Sequence, residues 1–189
     1  MIHIHNNMII THKFLDIPDH ELISNAVYDY VVNHTKILQK PVFWNPLDPE
    51  QVFIHVPNMA RWFNSKGIKP NTMALIYIKY PAPNLTHKDA DINFRMLWPV
   101  RNCAGSHTIF YDIDKKYFRR TYADGEWYWE LTQNAPRKTV DFVELTQPIV
   151  FNPTLPHNIV LNQKLDGPRL SLTIGFDNHD PHSLSMDVW

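Results

Sequence analysis

The sequence predicts a mainly β fold of the α+β class, a double-stranded β-helix or jelly roll with helices at its N-terminal end. Three observations predict it. From residue 72 onward, about eight short segments rich in strand formers follow one another, split by Asn, Asp, Gly and Pro. Before them lies one segment with helical spacing of apolar residues. The chain also carries 15 Pro against 5 Gly, which suits stiff loops and strand ends and argues against a helical bundle.

The elements follow in order. Apolar alternation within the first 14 residues predicts an edge strand. In "DIPDHELISNAVYDYVVNHTKIL", Leu22, Ile23, Ala26, Val27, Tyr30 and Val31 form one stripe of a helix, with Asp19 as its N-cap. Pro41, Pro46 and Pro49 then predict a loop, and "PNMARWFNSKG" a short second helix stopped by Gly67. The strands are "TMALIYIKY", "INFRMLWPV", "HTIFYDI", "WYWEL", "TVDFVEL", "PIVF", "NIVLN" and "RLSLTIGF". The helical stripe needs a sheet to cover it, so 1–189 reads as one domain. Residues 1–71 give a strand and supporting helices, 72–176 the jelly-roll core, and 177–189 a tail.

A chain of 189 residues with 44% hydrophobic and 13% aromatic content can bury one sizeable core. Eighteen basic and 19 acidic residues leave a net charge of −1, so a general nucleic-acid footprint is absent. Cys103 is the single cysteine, so no intrachain disulfide forms. No stretch approaches the ~20 apolar residues of a membrane span. "MIHIHNNMIITHKF" lacks the basic region and apolar run of a signal peptide. These readings predict a soluble cytoplasmic protein.

The chemistry concentrates in five residues of fixed order. His87 and Asp89 stand two apart in "NLTHKDADI", His157 follows in "TLPHNIV", and Arg169 and Ser171 stand two apart in "RLSLTIGF". Side chains two apart on an extended chain face the same way, so His87 and Asp89 can reach one metal ion. Two His and one carboxylate bind one face of Fe(II) and leave its other positions open. Arg169, if it points inward, is a buried cation whose planar fork suits a carboxylate, while Leu170, Leu172 and Ile174 line the opposite face.

The order H-x-D, a long gap, His, then R-x-S resembles the Fe(II)/2-oxoglutarate-dependent dioxygenases, a cupin-like superfamily, over residues 72–176. That resemblance implies Fe(II) held by His87, Asp89 and His157, and 2-oxoglutarate chelating the iron. Its distal carboxylate would then lie on Arg169 and Ser171. It implies O2-dependent decarboxylation to succinate and CO2 coupled to hydroxylation of a substrate. Asp89 implies a hydroxylase, because the related halogenases replace this carboxylate with a small residue. Tyr77 stands where several prolyl-hydroxylase-like members carry a Tyr that touches the co-substrate. "LWPVRNCAGSHTIFYD" is similar to a strand–turn–strand of short phage and marine bacterial members, where Asn102 or Thr108 would reach it. The His-to-Arg spacing also resembles aspartyl/asparaginyl hydroxylases, but those generally lack the carboxylate ligand.

Other groups have plainer readings. Trp127, Trp129 and Leu131 share one strand face, which suggests core packing, with a substrate-pocket wall as the alternative. Arg95, Arg101, Arg119 and Arg120 read as surface charge, with an acidic-substrate site as the alternative. His3 and His5 read as a frayed terminus, and His179 and His182 as a solvated tail. Cys103 reads as a buried small hydrophobe. Two other functions stand beside the hydroxylase. One is a cupin-type metalloenzyme without 2-oxoglutarate, for which the glycine-rich motif is not apparent. The other is a non-enzymatic jelly-roll binding or structural protein. The substrate, a peptide or protein side chain or a metabolite, is not encoded in any motif.

Overall fold

The computed structural model describes residues 11–82, 85–89, 94–123, 126–132, 135–162 and 164–176. The His3/His5 and His179/His182 pairs, the side chain of Trp127 and the 177–189 tail lie outside them. Two six-stranded, antiparallel sheets face each other as a jelly roll. In the first, strand order is β1 (His12–Phe14), β10 (Ile149–Phe151), β5 (Arg95–Arg101), β12 (Arg169–Phe176), β3 (Pro70–Ile78) and β2 (Trp44–Leu47). In the second it is β7 (Phe118–Ala123), β8 (Glu126–Leu131), β4 (His87–Asp89), β11 (His157–Leu161), β6 (Ser106–Asp112) and β9 (Lys138–Glu144).

Three helices, α1 (His20–His34), α2 (Pro49–His55) and α3 (Pro57–Ser65), cover the outer face of the first sheet. Period two decides what they cover. Leu170, Leu172 and Ile174 of β12, Met96 and Trp98 of β5, and Leu75 of β3 join the helices' Val27, Val31, Met59 and Phe63 in one apolar cluster. Arg169, Ser171 and Thr173, the alternate residues of β12, are left for the interior between the sheets. Burying each such Leu or Ile side chain stabilises by about 1.5–3 kcal/mol. One polar contact fixes α1 on the sheet: the Trp98 indole N–H donates to Ser24 Oγ at 3.0 Å, and the Ser24 hydroxyl donates to the Pro99 carbonyl at 2.6 Å.

Several local expectations change. Asp19 adopts a left-handed conformation, φ 57°, and its side chain caps nothing at the start of α1. Leu22 is exposed at 62%, so the buried stripe is Ile23, Val27, Tyr30 and Val31. The stretch expected as a proline loop holds β2 and α2. Pro49 sits in the first turn of α2, where its missing N–H costs nothing, and Asp48 accepts from the Glu50 N–H at 2.9 Å. The N-terminal third therefore supplies two strands of the first sheet as well as its helices. Gly67, φ 66°, follows α3 in the left-handed region, as expected of its stop. No helix among the described residues is long and apolar enough to cross a membrane.

Candidate metal centre

β4 is three residues long, yet it is held on both edges. His87 pairs with His157 of β11 on one side and with Glu130 of β8 on the other, and the Asp89 N–H donates to the Pro153 carbonyl at 2.9 Å. Cross-strand pairing puts His87 and His157 side by side, with ring centroids 4.5 Å apart. Alternation brings Asp89 to the same face and sends Lys88 outward, over the rings of Phe118 and Trp129 at 5.2 Å each.

Both imidazoles are oriented in one way. His87 Nδ1 lies 2.8 Å from the Leu85 carbonyl, and His157 Nδ1 lies 2.8 Å from the Leu155 carbonyl. A carbonyl only accepts, so each Nδ1 carries a proton and each Nε2 is the ring nitrogen left facing the other side chains of the group. His87 Nε2 is 3.5 Å from Asp89 Oδ1. One ligand atom from each of His87, Asp89 and His157 lies within 4.8 Å of the others, the one such group among the described residues able to hold a metal ion.

Burial, reinforced by the neighbouring His87, lowers the His157 pKa to about 4, against the pull of Asp89. The ring is thus neutral, as a ligand must be, well below pH 6. Its pKa falls on folding, so the unfolded chain takes up the proton first as pH drops, and stability is lost between about pH 6.5 and 4. In the metal-free protein this loss is expected to reach on the order of 3 kcal/mol. Urea unfolding at pH 7, 5 and 4 checks it. His157→Gln should remove this part of the slope, and an unchanged slope in that variant would contradict the assignment.

Arg169 is fully buried and crosses the interior from the first sheet to the second. Its Nε donates to Ser106 Oγ of β6 at 2.9 Å, and its Nη1 to Ser171 Oγ at 2.8 Å. Ser106 in turn donates to the Cys103 carbonyl at 2.6 Å. Nη2 is buried with no hydrogen-bond partner among the described residues. Thr108 Oγ1, two residues along the same face of β6, is buried without one as well. Leu161, Ile159 and His157 of β11 pair with Ser106, Thr108 and Phe110 in turn. The guanidinium end and the imidazole end are thus roughly 13 Å apart along the strand, with Thr108 midway.

The other expected residues sit elsewhere. Tyr77 pairs with Leu170 and packs on the helix-side cluster, so it faces away from Arg169. Asn102, φ 51°, shapes the β5–β6 turn, and its Nδ2 donates to the Pro168 carbonyl at 3.0 Å. Trp129 faces outward with Lys88 instead of joining the core, and Tyr128 takes the inner face, edge-on to His87 at 5.9 Å. Cys103 is buried, as expected, with its thiol on the Leu170 carbonyl at 3.0 Å.

Sequence reasoning missed two residues. Ser106 is one, although its place two residues before Thr108 on an alternating strand was a usable signal. Arg95, expected as surface charge, is the other: its side chain is 3% exposed, with Nε 2.8 Å from Asp89 Oδ2. Arg101, by contrast, is exposed over Tyr28, and the exposed Arg119 bonds Glu130 through two nitrogens.

No family model matches the chain, and no curated protein matches it. Solved structures do. The epimerase SnoN in complex with Fe3+, alpha ketoglutarate and nogalamycin RO is 13% identical, with 87% of this chain and 78% of that one covered and a TM-score of 0.46. A second structure, of the non-heme alpha ketoglutarate dependent epimerase SnoN from nogalamycin biosynthesis, is 13% identical over 87% and 76%, at 0.44. A Pseudomonas putida prolyl-4-hydroxylase is 13% identical over 88% and 90%, at 0.42. The fold described above rests on the strand order itself.

Proposed function

We propose that this chain is an Fe(II)- and 2-oxoglutarate-dependent oxygenase, a hydroxylase whose substrate is a peptide or protein side chain or a metabolite. The observation that carries the reading is the buried Arg169 fork with Nη2 unpartnered, in the same interior as the His87–Asp89–His157 group. A buried cation needs an anionic partner, and the described residues give Arg169 only neutral serine oxygens. A dicarboxylate bridging from that fork to a metal on the imidazole end accounts for both the cation and the gap.

The residues fit both groups. His87 Nε2, His157 Nε2 and one oxygen of Asp89 would hold Fe(II), two neutral nitrogens and one carboxylate leaving a face open. Once bound, the metal and 2-oxoglutarate would supply the electrons that activate O2, one oxygen atom going to succinate as CO2 leaves and the other to the hydroxylated substrate. The protein's part is positional. Ser106 and Ser171 fix the plane of the Arg169 fork, so Nη2 is aimed before the ligand arrives. Thr108 Oγ1 supplies a further hydrogen-bond donor along the path. Leu97, Phe110 and Phe151 keep water from the interior, where such contacts are strongest. Tyr128, Thr121 and Glu130, on the same face as His87 and Asp89, line the approach.

Thermal melting of the protein with Mn(II), 2-oxoglutarate or both tests the reading. Both together should raise the melting temperature beyond either alone, by the equivalent of roughly 2.7 kcal/mol at a hundredfold excess over Kd. A response to metal with none to 2-oxoglutarate would point to a cupin-type metalloenzyme instead. No response to either would leave a binding or structural protein.

A further inference from the structure

We propose that Arg95 is a positioning residue that restricts Asp89 to one oxygen toward the metal, an inference that rests on the metal reading above. Arg95 belongs to β5 in one sheet and Asp89 to β4 in the other, so the pair spans the interior. The two carboxylate oxygens are divided: Oδ2 is 2.8 Å from Arg95 Nε, and Oδ1 is 3.5 Å from His87 Nε2. The guanidinium is itself held in place. Its carbon lies 5.3 Å from the centroid of the Trp44 ring, and the side chain is almost wholly buried.

The chemical consequence concerns the count of open positions. An aspartate free to rotate can place both oxygens on one metal, and the second would occupy a position that co-substrate or O2 needs. A buried guanidinium held as an ion pair against Oδ2 disfavours that option and biases the orientation of the carboxylate. The same contact balances charge before metal enters, since an unpaired carboxylate in this setting would be costly. Arg95 touches no reacting atom in this account; it acts through Asp89.

Co(II), whose visible bands report coordination number and geometry, is the probe. The wild-type protein, Arg95→Met and Arg95→Lys are each titrated with Co(II) alone, with melting temperature recorded for each. Arg95→Met removes the guanidinium and its charge together and leaves the Asp89 carboxylate without its cation, which is why each melting temperature is recorded. It is expected to bind Co(II) with altered bands, because the second Asp89 oxygen becomes free to reach the metal and the neighbouring positive charge is gone. Arg95→Lys keeps the charge without the rigid fork and should fall between the two, its bands still shifted. Wild-type affinity and bands in a folded Arg95→Met would overturn the proposal. Should that variant fail to fold, Arg95→Lys decides: shifted bands support it, and wild-type affinity and bands overturn it. A wild-type protein that takes up no Co(II) would overturn the metal reading and this proposal together.

Discussion

On the proposed function, Asp89→Ala is expected to abolish turnover and to weaken metal binding by roughly 10–100-fold or more, since it removes the charged member of the proposed ligand set. The structure adds a cost to folding. Arg95 would lose its carboxylate partner while remaining buried, and breaking a buried pair from one side costs about 3–5 kcal/mol. Asp89→Asn separates the two effects. Its amide keeps an oxygen dipole of the same shape beside Arg95, so it should unfold at a temperature closer to wild type while binding metal poorly. Metal titration and urea unfolding of both variants check this pair of expectations. Full activity in either would show that Asp89 is not a ligand.

Arg169→Met is expected to act in the opposite sense on stability. Burial disfavours the charged guanidinium and lowers its pKa, and its partners here are two serine hydroxyls. Replacing such a group by an apolar side chain of similar length is often neutral or stabilising by about 1–4 kcal/mol. The ligand-free variant should therefore melt no lower than wild type. Its apparent 2-oxoglutarate requirement should rise by at least about 100-fold, the loss expected for a charge-assisted, two-pronged contact. Metal affinity should stay near wild type, because Arg169 is four strand residues away from the imidazoles. An unchanged 2-oxoglutarate requirement would place the co-substrate elsewhere. A stability loss without any change in that requirement would make Arg169 a structural residue.

The parts of the molecule that could be read from sequence are those where one periodicity governs. In "RLSLTIGF", alternation alone separates Arg169 and Ser171 from Leu170, Leu172 and Ile174, and the structure divides them between the interior and the helix-covered face. His87 and Asp89 share a face for the same reason. Reading fails where a neighbouring element sets the outcome. Tyr77 lies on an alternating strand whose phase was not fixed, and pairing with Leu170 turns it toward the helices. Trp129 and Tyr128 exchange their expected faces because β8 takes its phase from pairing with β4, a strand too short to recognise. α2 hides behind Pro49, which reads as a breaker but opens a helix when Asp48 caps it. Arg95 could not be found from sequence at all: its burial depends on an aspartate in the opposite sheet.

The most direct measurement is anaerobic titration of the purified apoprotein with Fe(II) and 2-oxoglutarate, followed by visible absorption. A weak charge-transfer band that needs both components, and that fails to form in Asp89→Ala and in Arg169→Met at the same concentrations, is the predicted result. No band from a folded wild-type protein at saturating concentrations of both would contradict the proposed co-substrate and the role given to Arg169.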